Sequence, residues 1–336
     1  MSLGLIFLFA FIASFLFAVP GFRALAIRFE VVDKPDGVLK KHQKATPYLG
    51  GAALFCSLWL LLFLVNNCFL NNGLLWGLFT GLTIIFTAGL VDDLILLSPL
   101  QKFSCQVLSA LVLVLQGFNL GLDWPFYLDQ ILALIWIVGL MNAFNLVDVM
   151  DGLATTLGFC VSFGLASYAF YLGQQDLLII LLTFMGALAA FFCYNAPRAT
   201  IYLGDAGSML IGTVIAVISL KINWHQVGEG SWLNYLIPSI LAGIPIIEVG
   251  SLILIRKLKQ IPFYNGSPDH FMHYLKNKKW SDGLILIFVA LYSILLCAFS
   301  GLVAFLNLPI YLILVIGSLM LILWVTVVFC RDSFFP

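Results

Sequence analysis

Eleven stretches of mostly apolar residues, each close to the length that carries a helix across a bilayer, constrain this chain more than any other feature. A helix rising about 1.5 Å per residue needs about 20 such residues to cross a hydrocarbon core of roughly 30 Å. The stretches lie near residues 3–25, 48–66, 73–91, 101–118, 129–146, 154–172, 177–194, 207–222, 232–255, 283–305 and 309–329. Lipid offers no partner to an open backbone N–H or C=O, so the stretches read as helices. The expected fold is all-α: a polytopic integral membrane protein of about eleven transmembrane helices, forming one transmembrane domain over 1–336. Charged residues make up 10% of the chain, against roughly 25% in a soluble domain, and no soluble domain is expected.

Basic residues mark the cytoplasmic side of a membrane protein. With eleven spans and an outside N-terminus, fifteen of the sixteen Lys and Arg residues fall in inside segments, and Lys221 alone falls outside. A missed or invented span would invert every later loop. The expected topology therefore has the N-terminus outside and the C-terminus cytoplasmic. No positive charge precedes the first apolar stretch, which reads as a retained helix and not a signal peptide. The seven cysteines show no CxxC spacing and read as small core residues.

Polar residues interrupt this apolar sequence in a few places. The segment NAFNLVDVMDGL, residues 142–153, places Asn142, Asn145, Asp148 and Asp151 at every third position where a helix leaves the hydrocarbon. At 100° per residue one face cannot present all four, so a helix end that breaks near Gly152 is expected. A charge at the bilayer centre costs about 2.5–3.5 kcal/mol on insertion scales, which favours a binding role for the two carboxylates over chance.

Asp92 and Asp93 are adjacent at the end of the third stretch, with no lysine nearer than Lys102. Ionising both calls for a cation or hydrogen-bonding ligand, and a hard divalent ion held through oxygen is a natural one. In NAPRATIYLGDAGS, Gly204 and Gly207 flank Asp205, which sits at the start of a helix expected from Ser208 onward, with Asn195 and Tyr202 upstream. Lys44 lies just before Thr46 and Pro47, where the chain re-enters the membrane. Glu248 lies deep in the ninth stretch and should face the bundle interior. In the following loop His270 and His273 stand beside Asp269. Acids able to hold Mg2+, with lysines and histidines on the same face, suit phosphoryl chemistry, and a membrane-face site implies a substrate that lives in the membrane.

The paired aspartates at 92 and 93, NxxNxxDxxDGL at 142–153, NxPxxxxYLGDAGS at 195–208 and the SPDHFMHYL loop resemble the polyprenyl-phosphate N-acetylhexosamine-1-phosphate transferases. The resemblance covers nearly the whole chain, in order, and eleven spans resembles the GlcNAc-1-phosphate branch. It implies that undecaprenyl phosphate attacks the β-phosphate of a UDP-sugar, giving polyprenyl diphosphate-sugar and UMP with Mg2+, or Mn2+ in its place. It further implies that Asp205 ligates the metal and that Asp92 and Asp93 serve the lipid phosphate or the metal. Asp148 and Asp151 would act in catalysis or nucleotide contact. Asn142, Asn145 and Asn195 would contact substrate, Tyr202 would stack near uracil, and Lys44, Lys102, His270 and His273 would bind diphosphate.

The implied place is the cell inner membrane, with the site on the cytoplasmic face, at the first membrane step of a cell-envelope polysaccharide such as O-antigen. A homodimer is compatible with the resemblance, and no nucleic-acid partner is expected. Two departures stand out. Val149 replaces the glycine usual after the first aspartate of DGxDG, and Met272 interrupts the usual histidine cluster. Val149 removes backbone freedom beside the nucleotide site and bears on substrate detail, and Met272 makes phospho-MurNAc-pentapeptide, the alternative donor group, less expected. The rival from another class is an ion-coupled transporter, which would place its acids near the midplane of repeated halves.

Overall fold

The computed structural model describes residues 3–33, 45–69, 72–122, 125–260, 269–306 and 308–329. It divides into two compact units, Met1–Ile222 and Asn223–Pro336.

In the first unit α1 (Leu3–Ala13) passes through a widened π turn, Ser14–Ala18, into α2 (Val19–Arg28). The widened turn stands just before Pro20, which has no N–H to continue the ladder. A two-stranded antiparallel ribbon follows, β1 (Val32–Asp33) paired with β2 (Thr46–Pro47), a small exception to the all-helical expectation. Then come α3 (Gly50–Phe69), α4 (Asn72–Ile95), α5 (Pro99–Leu115), α6 (Phe126–Val147), α7 (Leu153–Tyr171), α8 (Gln175–Asn195) and α9 (Gly204–Lys221).

Helix α9 is apolar on every side, as a helix surrounded by others must be. Of its membrane-length window 89% is buried, against 22% for the window in Leu3–Arg28, so α9 is the axis of this unit and α1–α2 its periphery. It packs on α3, α4, α6 and α7. Close approach is possible because a Cβ on Gly89 of α4 would lie 2.5 Å from the Ala206 Cα, a contact only glycine avoids.

The second unit opens with two 3-10 turns, Trp224–Gln226 and Trp232–Leu236, the latter leading into α10 (Ile237–Leu241), followed by α11 (Gly243–Leu258), α12 (Phe271–Asn277), α13 (Asp282–Phe305) and α14 (Ile310–Phe329). The ninth apolar stretch is bent by 75° between Trp232–Leu241 and Gly243–Leu258. Pro245 explains the break, since its ring excludes the carbonyl four residues back, at Leu241. Trp324 of α14 is fully buried, with the rings of Phe271, Phe288 and Tyr292 at 5.1, 5.4 and 4.9 Å. The short helix α12 is thereby held on α13 and α14.

Each of the eleven apolar stretches is helical. Among the described residues eight helices are long and apolar enough to cross a membrane, and the bent pair makes a ninth. The remaining two, Gly50–Leu64 and Pro99–Leu115, are shorter apolar helices. The protein is a multi-pass, all-α membrane protein.

Candidate active site

The site lies in the first unit, where the ends of α4 and α6 meet the starts of α5 and α9. Asp92 and Asp93 end α4 and do different things. The Asp92 Oδ1 accepts from the Leu97 N–H at 2.6 Å, closing a turn whose Leu96 takes φ of 54°, a left-handed conformation that leucine rarely adopts. Its Oδ2 lies 3.0 Å from the Lys102 Nζ. Lys102 is placed by the start of α5, where Ser98 and Gln101 form a reciprocal capping box behind Pro99.

Asp93 instead caps α9. Its two carboxylate oxygens accept from the backbone N–H groups of Asp205 and Ala206 at 2.8 and 3.2 Å, satisfying free amides of a helix start. Helix α9 therefore begins at Gly204, four residues earlier than Ser208. Gly204 has φ of 72°, and a Cβ there would lie 2.5 Å from the Asp93 Oδ2. Gly204→Ala is expected to cost about 1–3 kcal/mol of stability and to displace the Asp205 carboxylate, which thermal melting and turnover would show together.

The Asp205 carboxylate is the hub. Its Oδ2 meets the Lys102 Nζ, its Oδ1 accepts from the Asn145 Nδ2 at 2.8 Å, and the Lys102 Nζ bridges it to Asp92. Asn145 also reaches the Ser208 Oγ at 3.0 Å and the Lys102 Nζ at 3.3 Å. Asn142, one turn deeper, does not join this group: it exchanges hydrogen bonds with Gln106 at 3.2 and 2.9 Å, tying α6 to α5.

The turn after α6 breaks as expected, with Asp148 at the end of the helix and Gly152 at φ of 77°. Val149 is not among the positive-φ residues, so its branched side chain is compatible with the turn. Asp148 is pushed well above the usual carboxylate range, first by withdrawal from water and then by the charges of Asp205, Asp93 and Asp151. Asp151 accepts from the Ala199 N–H at 2.9 Å, and Asn195 accepts from Gly152 N–H at 2.8 Å while donating to the Ile201 carbonyl at 3.0 Å. Asn195 and Asp151 thus latch the Asn195–Leu203 loop onto the turn.

Tyr202 is held by backbone bonds: its N–H donates to the Pro47 carbonyl at 2.8 Å and its carbonyl accepts from Gly50 at 2.9 Å. Its ring meets the edge of Tyr48, with centroids 5.6 Å apart. Sequence reasoning passed over Tyr48. Burial and the nearby charges of Asp93, Asp205 and Asp148 raise its phenol above the ordinary range, keeping it a hydrogen-bond donor. Its position just after Thr46 and Pro47 is the only sequence signal that could have found it. Lys44 lies outside the described residues.

His270 and His273 belong to the second unit. There the buried Glu248 Oε1 lies 3.0 Å from the His270 Nδ1 and accepts from the Phe271 N–H at 3.3 Å, so the acid faces the interior as expected. The pair fixes the imidazole and leaves Nε2 as its other polar atom. The His273 ring lies 6.3 Å away, and burial, His270 and Lys276 hold its pKa below the usual histidine value. Glu248→Gln is expected to lower the stability of this unit by about 1.5–3 kcal/mol, the worth of a hydrogen bond to a charged group, measurable as a drop in melting temperature.

The model of Glycosyl transferase family 4 matches residues 75–223, which contain every acid, amide and lysine of the first-unit site. A probable undecaprenyl-phosphate N-acetylglucosaminyl 1-phosphate transferase of Bacillus subtilis is 30% identical over 278 residues, covering 79% of this chain and 76% of that protein. A phospho-N-acetylmuramoyl-pentapeptide-transferase of Listeria monocytogenes is 34% identical over 239 residues, covering 64% and 70%. One of the same description from Streptococcus pneumoniae is 30% identical over 215 residues, covering 56% and 63%. With the motifs in order and the acids gathered at one set of helix ends, the chain belongs to glycosyltransferase family 4, the polyprenyl-phosphate N-acetylhexosamine-1-phosphate transferases.

Proposed function

We propose that this protein transfers GlcNAc-1-phosphate from UDP-GlcNAc to undecaprenyl phosphate. In the net reaction a lipid phosphate oxygen forms a bond to the β-phosphorus. The bond from that phosphorus to the oxygen bridging to the α-phosphate breaks, and UMP leaves with the bonding pair. The observation that supports this most is the Asp92–Lys102–Asp205 cluster, in which one ammonium lies between acids that outnumber it. Lys102 can neutralise phosphate charge. Asn145 and Asp93 hold Asp205 in place while it does so. The site sits at helix ends, where a lipid phosphate and a soluble nucleotide can both reach it. The breadth of the B. subtilis match favours GlcNAc as the sugar.

The donor set fits Mg2+. Among the described residues no three His, Cys, Asp or Glu side chains converge, and Asp205 has the side-chain oxygens of Asn145 and Ser208 close by. Mg2+ commonly takes one or two carboxylates and completes its shell with water and substrate phosphates, so Asp205 with Asp148 would suffice. When bound, the ion would supply neutralisation of the charge developing on the diphosphate. We place the site on the cytoplasmic face of the inner membrane, by the distribution of Lys and Arg.

The test is UMP release by purified protein given undecaprenyl phosphate, Mg2+ and, in parallel, UDP-GlcNAc, UDP-GalNAc or UDP-MurNAc-pentapeptide, with EDTA controls. Lipid-dependent, EDTA-sensitive release from UDP-GlcNAc alone is expected. Release from the pentapeptide donor instead would replace the sugar reading, and no release from folded protein would end it.

A further inference from the structure

The first unit holds a cleft at the end of the bundle remote from the acids. Asp205 stands in the first turn of α9 and Lys221 ends it, so the two are separated by roughly 25 Å at 1.5 Å per residue. Around Lys221 gather the start of α4, the end of α5 and the turn between α7 and α8. The cleft has a volume of about 720 Å³, within the roughly 300–1,000 Å³ of small-ligand sites. Its polar lining is Gln116, Gln174, Gln175, Asp176 and Lys221.

Two charges of opposite sign line this cleft without pairing. The Lys221 Nζ donates to the Gly117 carbonyl at 3.0 Å and stands 5.5 Å from the centre of the Phe118 ring. Among the described residues it meets no carboxylate, and Asp176 forms no ion pair. An ordinary surface lysine would be free in water, but this one is half-buried and held by backbone. It is also the single basic residue in the expected outer segments. The surrounding surface is apolar: Trp76, one turn into α4, Leu115, beside Gln116, and Tyr171, two residues before Gly173, are 56, 69 and 55% exposed. Such residues at helix ends face lipid at the interface.

The Gln116 and Gln174 Nε2 groups donate to the Thr80 hydroxyl and the Lys221 carbonyl at 2.5 and 3.2 Å and shape the wall of the cleft. We infer that this cleft binds a zwitterionic phospholipid headgroup, with Lys221 and the Gln175 amide on the phosphate and Asp176 on the ammonium. An anionic headgroup would satisfy Lys221 but would leave Asp176 facing like charge. A zwitterion satisfies both, while the exposed Trp76 and Leu115 lie where its acyl chains would run. The site is independent of the transferase chemistry and belongs to the opposite end of α9.

The experiment is native mass spectrometry of the full-length, delipidated protein in detergent, titrated with dioleoyl phosphatidylethanolamine, dioleoyl phosphatidylglycerol, or soluble glycerophosphoethanolamine. The wild type should retain phosphatidylethanolamine about five-fold over phosphatidylglycerol, and the soluble headgroup should bind more weakly than the lipid. Lys221→Gln should lose both phospholipids at this site, and Lys221→Arg should keep the preference. Asp176→Asn should erase or reverse it, with UMP release unchanged. Equal retention of the two lipids by the wild type, or an undiminished preference in both Lys221→Gln and Asp176→Asn, would overturn the inference. Stronger binding of the soluble headgroup than of the lipid would also overturn it. If Lys221→Gln fails to fold, the Asp176→Asn and Lys221→Arg pair decides alone.

Discussion

Asp205→Asn is expected to lower lipid-dependent UMP release by about 10²–10³-fold while the protein stays folded, the usual scale for removing one electrostatic group from a reacting centre. The substitution preserves volume. Its remaining amide oxygen can still accept from the Asn145 Nδ2, and its backbone N–H is still capped by Asp93. What disappears is the charge opposite Lys102, which then faces an amide and keeps only Asp92 as a charged partner. Asp93→Asn makes the informative contrast. An amide can satisfy only one of the two α9 N–H groups, so turnover and melting temperature should fall together. Turnover assays paired with thermal melts of both variants separate the acid that meets phosphate from the acid that positions it. Normal UMP release by Asp205→Asn would remove Asp205 from the site.

Asp148→Asn should abolish turnover but raise the melting temperature of metal-free protein. The folded-state pKa of Asp148 is raised, so between the ordinary carboxylate value and that raised value the folded chain binds more protons than the unfolded one. Stability from this group is therefore present at low pH and is lost as pH rises through the folded pKa. The variant has no such charge to bury, and its melting temperature should exceed that of the wild type at pH 7, by a few degrees, and converge with it toward pH 4. Mg2+ should shrink the difference, because a cation reverses the repulsion from Asp205 and Asp93. A variant less stable than wild type at pH 7 without metal would show that Asp148 supports the fold and is not strained by its neighbours.

Much of this was legible in the chain. Apolar stretches located every long helix, because a membrane permits few alternatives for a run such as 177–194. The turn at Gly152 followed from Asp, Asn and Gly at helix ends, whereas the helix expected from Ser208 begins at Gly204, because the group that caps it, Asp93, is far away in the chain. The bend inside the ninth stretch was not anticipated, although Pro245 carries its cause. Partnerships were harder, because periodicity says nothing about residues far apart in sequence. Asn142 and Asn145 look equivalent in the motif, yet one ties two helices together and the other meets Asp205. Asn195 proved a latch between loops, and Asp93 a helix cap; neither role is local. Tyr48 escaped notice because nothing in its own neighbourhood is acidic. Its charged surroundings arrive from α4, α6 and α9.

The cap on α9 also bears on how the protein is made. Asp93 and the amide it receives are 112 residues apart in the chain. At synthesis rates of about 5–20 residues per second, α4 waits roughly 6–22 s in the translocation machinery or the bilayer before α9 exists. Lys102 emerges within about 2 s, with α5, and can offset the charge of the acid pair meanwhile. The same lysine that faces phosphate in the finished protein is thus the earliest counter-charge available to the nascent chain, and Lys102→Ala should reduce the yield of inserted protein as well as its turnover.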